Sequence, residues 1–505
     1  MPTSGSMSQF AIPTISDLPP EILSLIFLFN TTVKSFYGVN HDKIPQDTTR
    51  YTSQVCRQWR FLVLENPVIW SRVIDFTRGS HLWTEELLRR ASNCPLTFVS
   101  RYRSLSSKNL ARELEHVSRF GRYDGEFTDK TWPLVLDKFQ QPAPYLEELR
   151  LRGSSRAQYK LPATIFSGNA PRLRRLWLQN CSFDEDLPYL AQLTHLSVSQ
   201  VSLPNPAPKK WLDTLSHMKF LTDLELKDVN IGTESHAAIH LPNLETIALT
   251  ASLRECSAFL SSLILKPTCS MRVIAQNSCP GTDFDFTAGI IAQKLQLYLT
   301  KATRSDLPLY LYFGNNYFFV DNHTGVDSEP ETPPYVSFRV SWLSPENGLL
   351  SILPHVSLAF AGLLSQVTTL ELFFCSPLAF KTRSAIANVL RQANNVTSLV
   401  RLDEQTADIF LQFEGVRRPI STQIKGDVIF PSLRTIHFTE LRIQSYAGAD
   451  RSILQSLADF IRYRNSIAAP MKEVYYANLS DVSCVQNGME CLRETGVLVA
   501  QRDWV

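Results

Sequence analysis

A chain of 505 residues with 44% hydrophobic and 19% charged residues is long enough for more than one folding unit and has the composition of an ordered globular protein. Fifty Lys+Arg against 48 Asp+Glu leave a net charge of +2, too balanced to predict binding to nucleic acid or to an anionic membrane surface. The opening MPTSGSMSQFAIPTISDLPP has no basic start followed by an apolar core, and the most apolar stretch, LLSILPHVSLAFAGLL, is interrupted by Pro354 and His355 and falls short of the ~20 residues of a span.

Residues 1–14 are expected to form a flexible tail. The segment SDLPPEILSLIFLFN then predicts a helix. Ser16 or Asp17 can cap it, and Pro19 and Pro20 suit its first turn, where their missing N–H groups would be unpaired anyway. From Ile22 to Phe29 only Ser24 is polar, and a helix apolar almost all round must be covered on both sides. A second helix is expected over Thr49–Leu64, with Tyr51, Val55, Trp59 and Leu62 falling on one face at helical spacing. Asn66 reads as an N-cap with Pro67 at the first helical position, opening a short third helix that presents Ile69, Trp70 and Val73. Three such helices bury little of their surface alone.

Three blocks of this segment resemble an F-box, the motif that docks on the Skp-type adaptor of cullin ubiquitin ligases. The first is Leu18, Pro19, Glu21, Ile22, Leu23, Ile26 and Phe27; the second is Val55, Cys56, Arg57, Trp59 and Arg60; the third is Pro67 and Trp70. The resemblance covers roughly residues 15–75 and is similar to the expanded fungal F-box families. A long polar insert, NTTVKSFYGVNHDKIPQDTT, departs from the pattern. The resemblance implies an adaptor contact made by Leu18, Pro19, Ile22, Leu23, Ile26, Phe27, Val55, Cys56, Trp59, Leu62, Pro67 and Trp70, and through the adaptor a contact with cullin.

Residues 81–142 are expected to hold a connecting helix, TEELLRRASN, an extended PLTFVS and the first irregular repeats. Beyond them a pattern recurs: LEELRLRGS from Leu146, LRRLWLQNCSF from Leu173, LTHLSVSQVSL from Leu193, LTDLELKDVNI from Leu221 and LETIALTAS from Leu244. These starts lie about 20–28 residues apart, in or near the spacing of leucine-rich repeats, and Cys181 fills the Asn/Cys slot with Phe183 closing the unit. A continuously apolar run would predict an ordinary parallel sheet; Leu-x-Leu with polar residues between predicts a solenoid whose units stack. The pattern weakens from about 270 to 360, where LPLYLYF and YVSFRVSW read as longer strands around the proline-rich loop DNHTGVDSEPETPP. It returns at Val367, Leu433 and Met471, and CLRETGVLVAQRDWV reads as a closing helix and strand. The expected fold class is therefore α/β: an N-terminal all-α domain of three short helices over residues 15–80, then a curved leucine-rich-repeat α/β solenoid over 143–505. It would have a parallel concave sheet and irregular central repeats.

Signals for catalysis are thin. No nucleophile elbow, P-loop or dinucleotide fingerprint occurs. Nine cysteines without a Cys-x-x-Cys pair read as reduced thiols of the cytosol or nucleus. HAAIH sets His236 and His240 one helical turn apart, yet it lacks a zincin glutamate and a third ligand. DFDF and DEDLP read as solvated acids. No cofactor, metal, nucleic acid or membrane is expected. In Leu-x-Leu the interleaved residues face away from the core, which brings Arg150, Arg152, Arg175, Trp177, His195, Asp223, Glu225, Glu371, Phe373, His437 and Tyr475 to one face. Of these, Arg150, Arg175, Trp177, Phe373 and Tyr475 are the candidates for binding a protein target, since exposed aromatics beside arginines suit interface anchors. The expected function is a non-catalytic, substrate-recognition subunit of a Skp–cullin–F-box ligase. The alternatives are an adaptor-bound structural or regulatory protein and an enzyme with a site in the irregular middle.

Overall fold

The computed structural model describes residues 15, 18–31, 45–76, 81–99, 107–154, 159–184, 186–201, 208–233, 237–276, 282–301, 308–314, 316–322, 335–342, 348–374, 380–413, 428–442, 453–480 and 489–501. The expected N-terminal tail, and the proline-rich loop beyond Asn322, lie outside them. The chain divides into two compact units, Met1–Val201 and Ser202–Val505.

The first unit opens with helices α1 (Pro20–Phe29), α2 (Pro45–Thr52), α3 (Arg57–Leu64), α4 (Pro67–Ser71) and α5 (His81–Arg90). Pro19 is the N-cap of α1 and Pro20 its first residue, while Ser16 and Asp17 lie outside the described residues. The single helix expected over Thr49–Leu64 is two. The end of the polar insert is itself helical in α2, and the chain then straightens at Cys56, whose sulfur accepts the Trp59 N–H at 3.5 Å to cap α3. Asn66 caps α4 as expected, accepting the Val68 N–H at 3.2 Å, and Pro67 takes the first position. Among the described residues of 15–80, four α-helices thus stand where three were expected. Phe27 of α1 packs on Trp59 of α3 at 4.9 Å between ring centroids, and the Trp70 indole N–H donates to the Val63 carbonyl at 2.8 Å, tying α4 to α3.

Next come β1 (Leu96–Val99), α6 (Ser107–Leu114), β2 (Phe120–Phe127), α7 (Trp132–Lys138), β3 (Glu148–Gly153), β4 (Tyr159–Leu161), β5 (Arg175–Gln179), β6 (Cys181–Phe183) and β7 (His195–Val201). The strands β1, β2, β3, β5 and β7 pair in that order, all parallel, and β4 pairs with β6 separately. Register stacks Leu149, Leu176 and Leu196 in one row and Leu151, Leu178 and Val198 in the next. All six are at most 2% exposed, so alternation sends the leucines of every unit to one core and the residues between them to the opposite face. Cys181 and Phe183 are buried in β6 as their slots require.

The second unit runs through α8 (Pro208–His217), β8 (Asp223–Val229), β9 (Ile239–His240), β10 (Thr246–Ser252), α9 (Leu253–Ser261), β11 (Leu263–Ile264), β12 (Ser270–Gln276), α10 (Thr282–Lys301), β13 (Leu309–Phe313), β14 (Tyr317–Asp321) and β15 (Val336–Ser341). It continues with α11 (Gly348–Leu364), β16 (Thr369–Phe374), α12 (Phe380–Leu390), β17 (Ser398–Leu402), α13 (Glu404–Phe413), β18 (Thr435–Arg442), α14 (Ile453–Ser466), β19 (Glu473–Ser480) and β20 (Leu498–Gln501). Again rows of apolar residues cross the strands: Leu226, Leu249, Val273 and Phe338 in one, and Leu370, Leu399, Ile436, Val474 and Val499 in another. Helices α9 to α14 each pack on the next in chain order, and α9, α10, α11 and α13 also pack on strands. A capping box in which Ser252 and Glu255 bond reciprocally starts α9.

The irregularity expected in the middle is a reversal. Strand order there is β12, β15, β14, β13, β16, with β14 antiparallel to both neighbours and the outer pairings parallel. A hairpin closed by the Gly314 N–H donating to the Tyr317 carbonyl at 2.9 Å turns the chain back, and a Cβ at Gly314 would meet the Tyr312 ring at 2.7 Å. The architecture is an α/β protein with long, mostly parallel strand rows and a helical return after most strands, a solenoid-like arrangement. Among the described residues no helix is long and apolar enough to cross a membrane.

Candidate docking surfaces

Helix α1 buries Leu23 and Phe27, spaced one turn apart, and leaves Ile22, Leu25 and Phe29 exposed at 43%, 51% and 77%. Those three fall at i, i+3 and i+7, a second apolar stripe on the far side of the helix. The expectation that this helix needs cover on two sides is met on one side only. Around α3 the pattern repeats: Val63 is fully buried, while Val55 and Phe61 are more than 60% exposed and Leu64 and Val68 are also exposed. Tyr51 at the end of α2 is 59% exposed. Apolar side chains exposed this densely form a candidate docking surface.

The residues named for the adaptor contact separate by burial. Ile22, Val55, Cys56 and Pro19 are exposed; Leu18, Ile26, Trp59, Leu62 and Pro67 are half-buried. Leu23, Phe27 and Trp70 face inward and hold the helices together, so their part in any contact is indirect. The Arg90 guanidinium lies 4.6 Å over the Trp70 ring and seals it further. Leu25, Phe29, Phe61 and Leu64 belong to the exposed set although the motif did not name them; the i, i+3 spacing within each helix was the signal. The single face drawn through Tyr51, Val55, Trp59 and Leu62 does not form, because the break before α3 separates the first two from the others.

On the strand face of the first unit, charge is organised around two sunken carboxylates. Glu148, 3% exposed, is met by Arg122 at 3.0 Å, Arg150 at 2.7 Å and Arg175 at 3.2 Å, from three adjacent strands. Asp124, fully buried, pairs with Arg152 at 2.9 Å, and burial outweighs that arginine in raising its carboxyl above the usual range. Burial likewise lowers the Arg122 guanidinium. Trp177 is half-buried, with the Arg150 guanidinium 3.9 Å above its ring and His195 beside it. Arg150, Arg175 and Trp177 therefore do come together, cross-linked by Glu148.

In the second unit the reversed strands display rings. Tyr312 is stacked between Tyr317 at 4.6 Å and Phe373 at 4.8 Å, and Arg339 lies 5.1 Å from both the Tyr317 and the Phe319 rings. Glu371 sits among them with Arg401 at 3.8 Å; burial pushes its carboxyl up to about 7 against the opposing pull of Arg401. Tyr475 is half-buried and donates its hydroxyl to Glu473 at 3.1 Å, and His437 beside it is 3% exposed, so the face at β18 and β19 is less open than alternation alone suggests. Asp223 is half-buried and Glu225 exposed, as expected.

The weaker motifs carry no site. His240 lies in the short strand β9, so the helical spacing supposed for a His pair is absent; His236 lies outside the described residues. Asp285 of the DFDF run bonds His355 at 2.7 Å, and Asp184 lies 3.6 Å from Lys160, so both acids have protein partners. Among the described residues no group of three His, Cys, Asp or Glu side chains could hold a metal ion. Burial pushes the thiols of Cys256 and Cys269 up to about 12 and about 11, the wrong direction for nucleophiles.

Fold and surfaces together define an α/β protein of stacked strand-and-return units preceded by helices with an uncovered apolar face. Compared with family models and with curated proteins, the chain matches none.

Proposed function

We propose that the chain is a non-catalytic, substrate-recognition subunit of a Skp–cullin–F-box ubiquitin ligase, working in the cytoplasm or nucleus. The helices α1 to α4 dock on a Skp-type adaptor and through it on cullin; the leucine-rich-repeat solenoid holds a protein target on its concave strand face. The observation that carries the reading is the exposed stripe Ile22, Leu25 and Phe29 on the helix that opens with the F-box-like Leu18-Pro19-x-Glu21-Ile22-Leu23. Such a stripe favours a covering partner, and the resemblance implies which one. Catalysis is by proximity: the target is held near a conjugating enzyme carried by other subunits. The target face combines the aromatic anchors Trp177, Phe373 and Tyr475 with the cations Arg150 and Arg175.

The test is co-purification of the full chain with a co-expressed Skp-type adaptor. Because Ile22 and Leu25 are exposed, Ile22→Asp with Leu25→Asp leaves the core intact and places charge in the contact. The double variant should fold with an unchanged melting temperature and lose the adaptor. Undiminished capture by the folded variant ends the reading, and adaptor capture without target ubiquitination by the reconstituted ligase favours a regulatory role instead.

A further inference from the structure

Within the first unit a cleft of about 380 Å³ lies where α4 and the beginnings of four parallel strands meet. The titratable groups lining it are Arg72, just past α4, Cys94, Arg122 of β2, Glu147 and Glu148 at the start of β3, and Arg175 of β5. Three guanidinium groups thus face two carboxylates. One of those carboxylates is already shared, since Glu148 also holds Arg150 at 2.7 Å, outside the lining. The other, Glu147, is exposed to solvent. Arg72 forms no ion pair with any described residue. A half-buried guanidinium without a counter-ion, beside two more, is an unfavourable arrangement that an anion would relieve.

We propose that this cleft binds a small polyanionic ligand, one carrying phosphate or carboxylate groups, held by Arg72, Arg122 and Arg175. Each guanidinium has five N–H donors, so the contacts to Glu148 leave several for a ligand. The volume falls in the range of small-molecule sites and exceeds what a single inorganic ion fills. Glu148 has a positioning role, fixing Arg122 and Arg175 from two strands on either side of its own. The inference stands independently of the adaptor reading.

The experiment is titration of the full chain with pyrophosphate and with citrate at constant ionic strength, followed by calorimetry and thermal melting, with chloride as the reference and an acidic peptide as a separate arm. Saturable binding of either small polyanion, with a rise in melting temperature, is expected. Arg72→Gln should weaken it by about tenfold or more, the loss of one charge-assisted contact, while melting in chloride stays at the wild-type value. Arg175→Gln gives a second variant with the same expected loss, because Glu148 keeps two other arginines. No saturable binding, wild-type affinity retained in both variants, or binding of the peptide alone overturns the proposal.

Discussion

Replacing Glu371 with glutamine should stabilise the second unit above neutral pH and leave it unchanged in mild acid. The carboxyl is 13% exposed and lies on the outer face of β16, opposite Tyr310 of β13 and 3.8 Å from Arg401. Desolvation raises it from 4.5 to about 7, so the cost of burying the charge exceeds what Arg401 returns. In the unfolded chain the group loses its proton near 4.5; in the folded chain it keeps it to about 7. Its contribution is therefore fully present below 4.5, falls as pH rises, and is gone above about 7. The size follows from that gap at 1.36 kcal/mol per pH unit, on the order of 3 kcal/mol. Hydrogen exchange of the β16 and β17 amides between about pH 4 and pH 8.5 reads this unit directly. Wild type and Glu371→Gln should protect equally at the acid end, with the variant gaining up to that amount at the alkaline end. A variant less protected than wild type at pH 8 would mean that the Arg401 pair outweighs desolvation, and the reasoning fails.

Leu226→Ala should cost roughly 2–5 kcal/mol in chemical denaturation, because Leu226 is 2% exposed in a row with Leu249 and Val273. Glu225→Ala, one residue away on the exposed side, should change stability by no more than about 0.5 kcal/mol, and the reverse order would show a wrong register. Trp177→Ala should cost about 1 kcal/mol of stability, the loss of its contact with Arg150, yet about 2 kcal/mol or more of target affinity. An early melt with unchanged target capture would assign Trp177 to the scaffold.

Local patterns in the chain determined much of this molecule. Period-two leucines place both the core and the outward residues of a strand, since alternation leaves only two faces, and Leu224 and Leu226 bracket an exposed Glu225 as that rule requires. Asn66 and Pro67 specify a helix start because a cap acts within one turn. Helix α1 marks where such reasoning stops. It is apolar almost all round, so the sequence could not say that Leu23 and Phe27 would be covered and Ile22, Leu25 and Phe29 left bare; packing on Trp59 decided it. Strands without the Leu-x-Leu signature, among them β2, β12 and β17, take their place only because paired neighbours fix them. The reversal of β13, β14 and β15 depends on a hairpin whose strands find partners far along the chain. Arg464 would pass for a surface residue, yet it is fully buried, donating to the carbonyls of Ala469, Pro431 and Leu433. The same holds for Glu148, whose three arginines come from β2, β3 and β5. Parallel register alone brings those groups within hydrogen-bond reach, and register is set by pairing between strands that the intervening helices and turns keep apart in sequence.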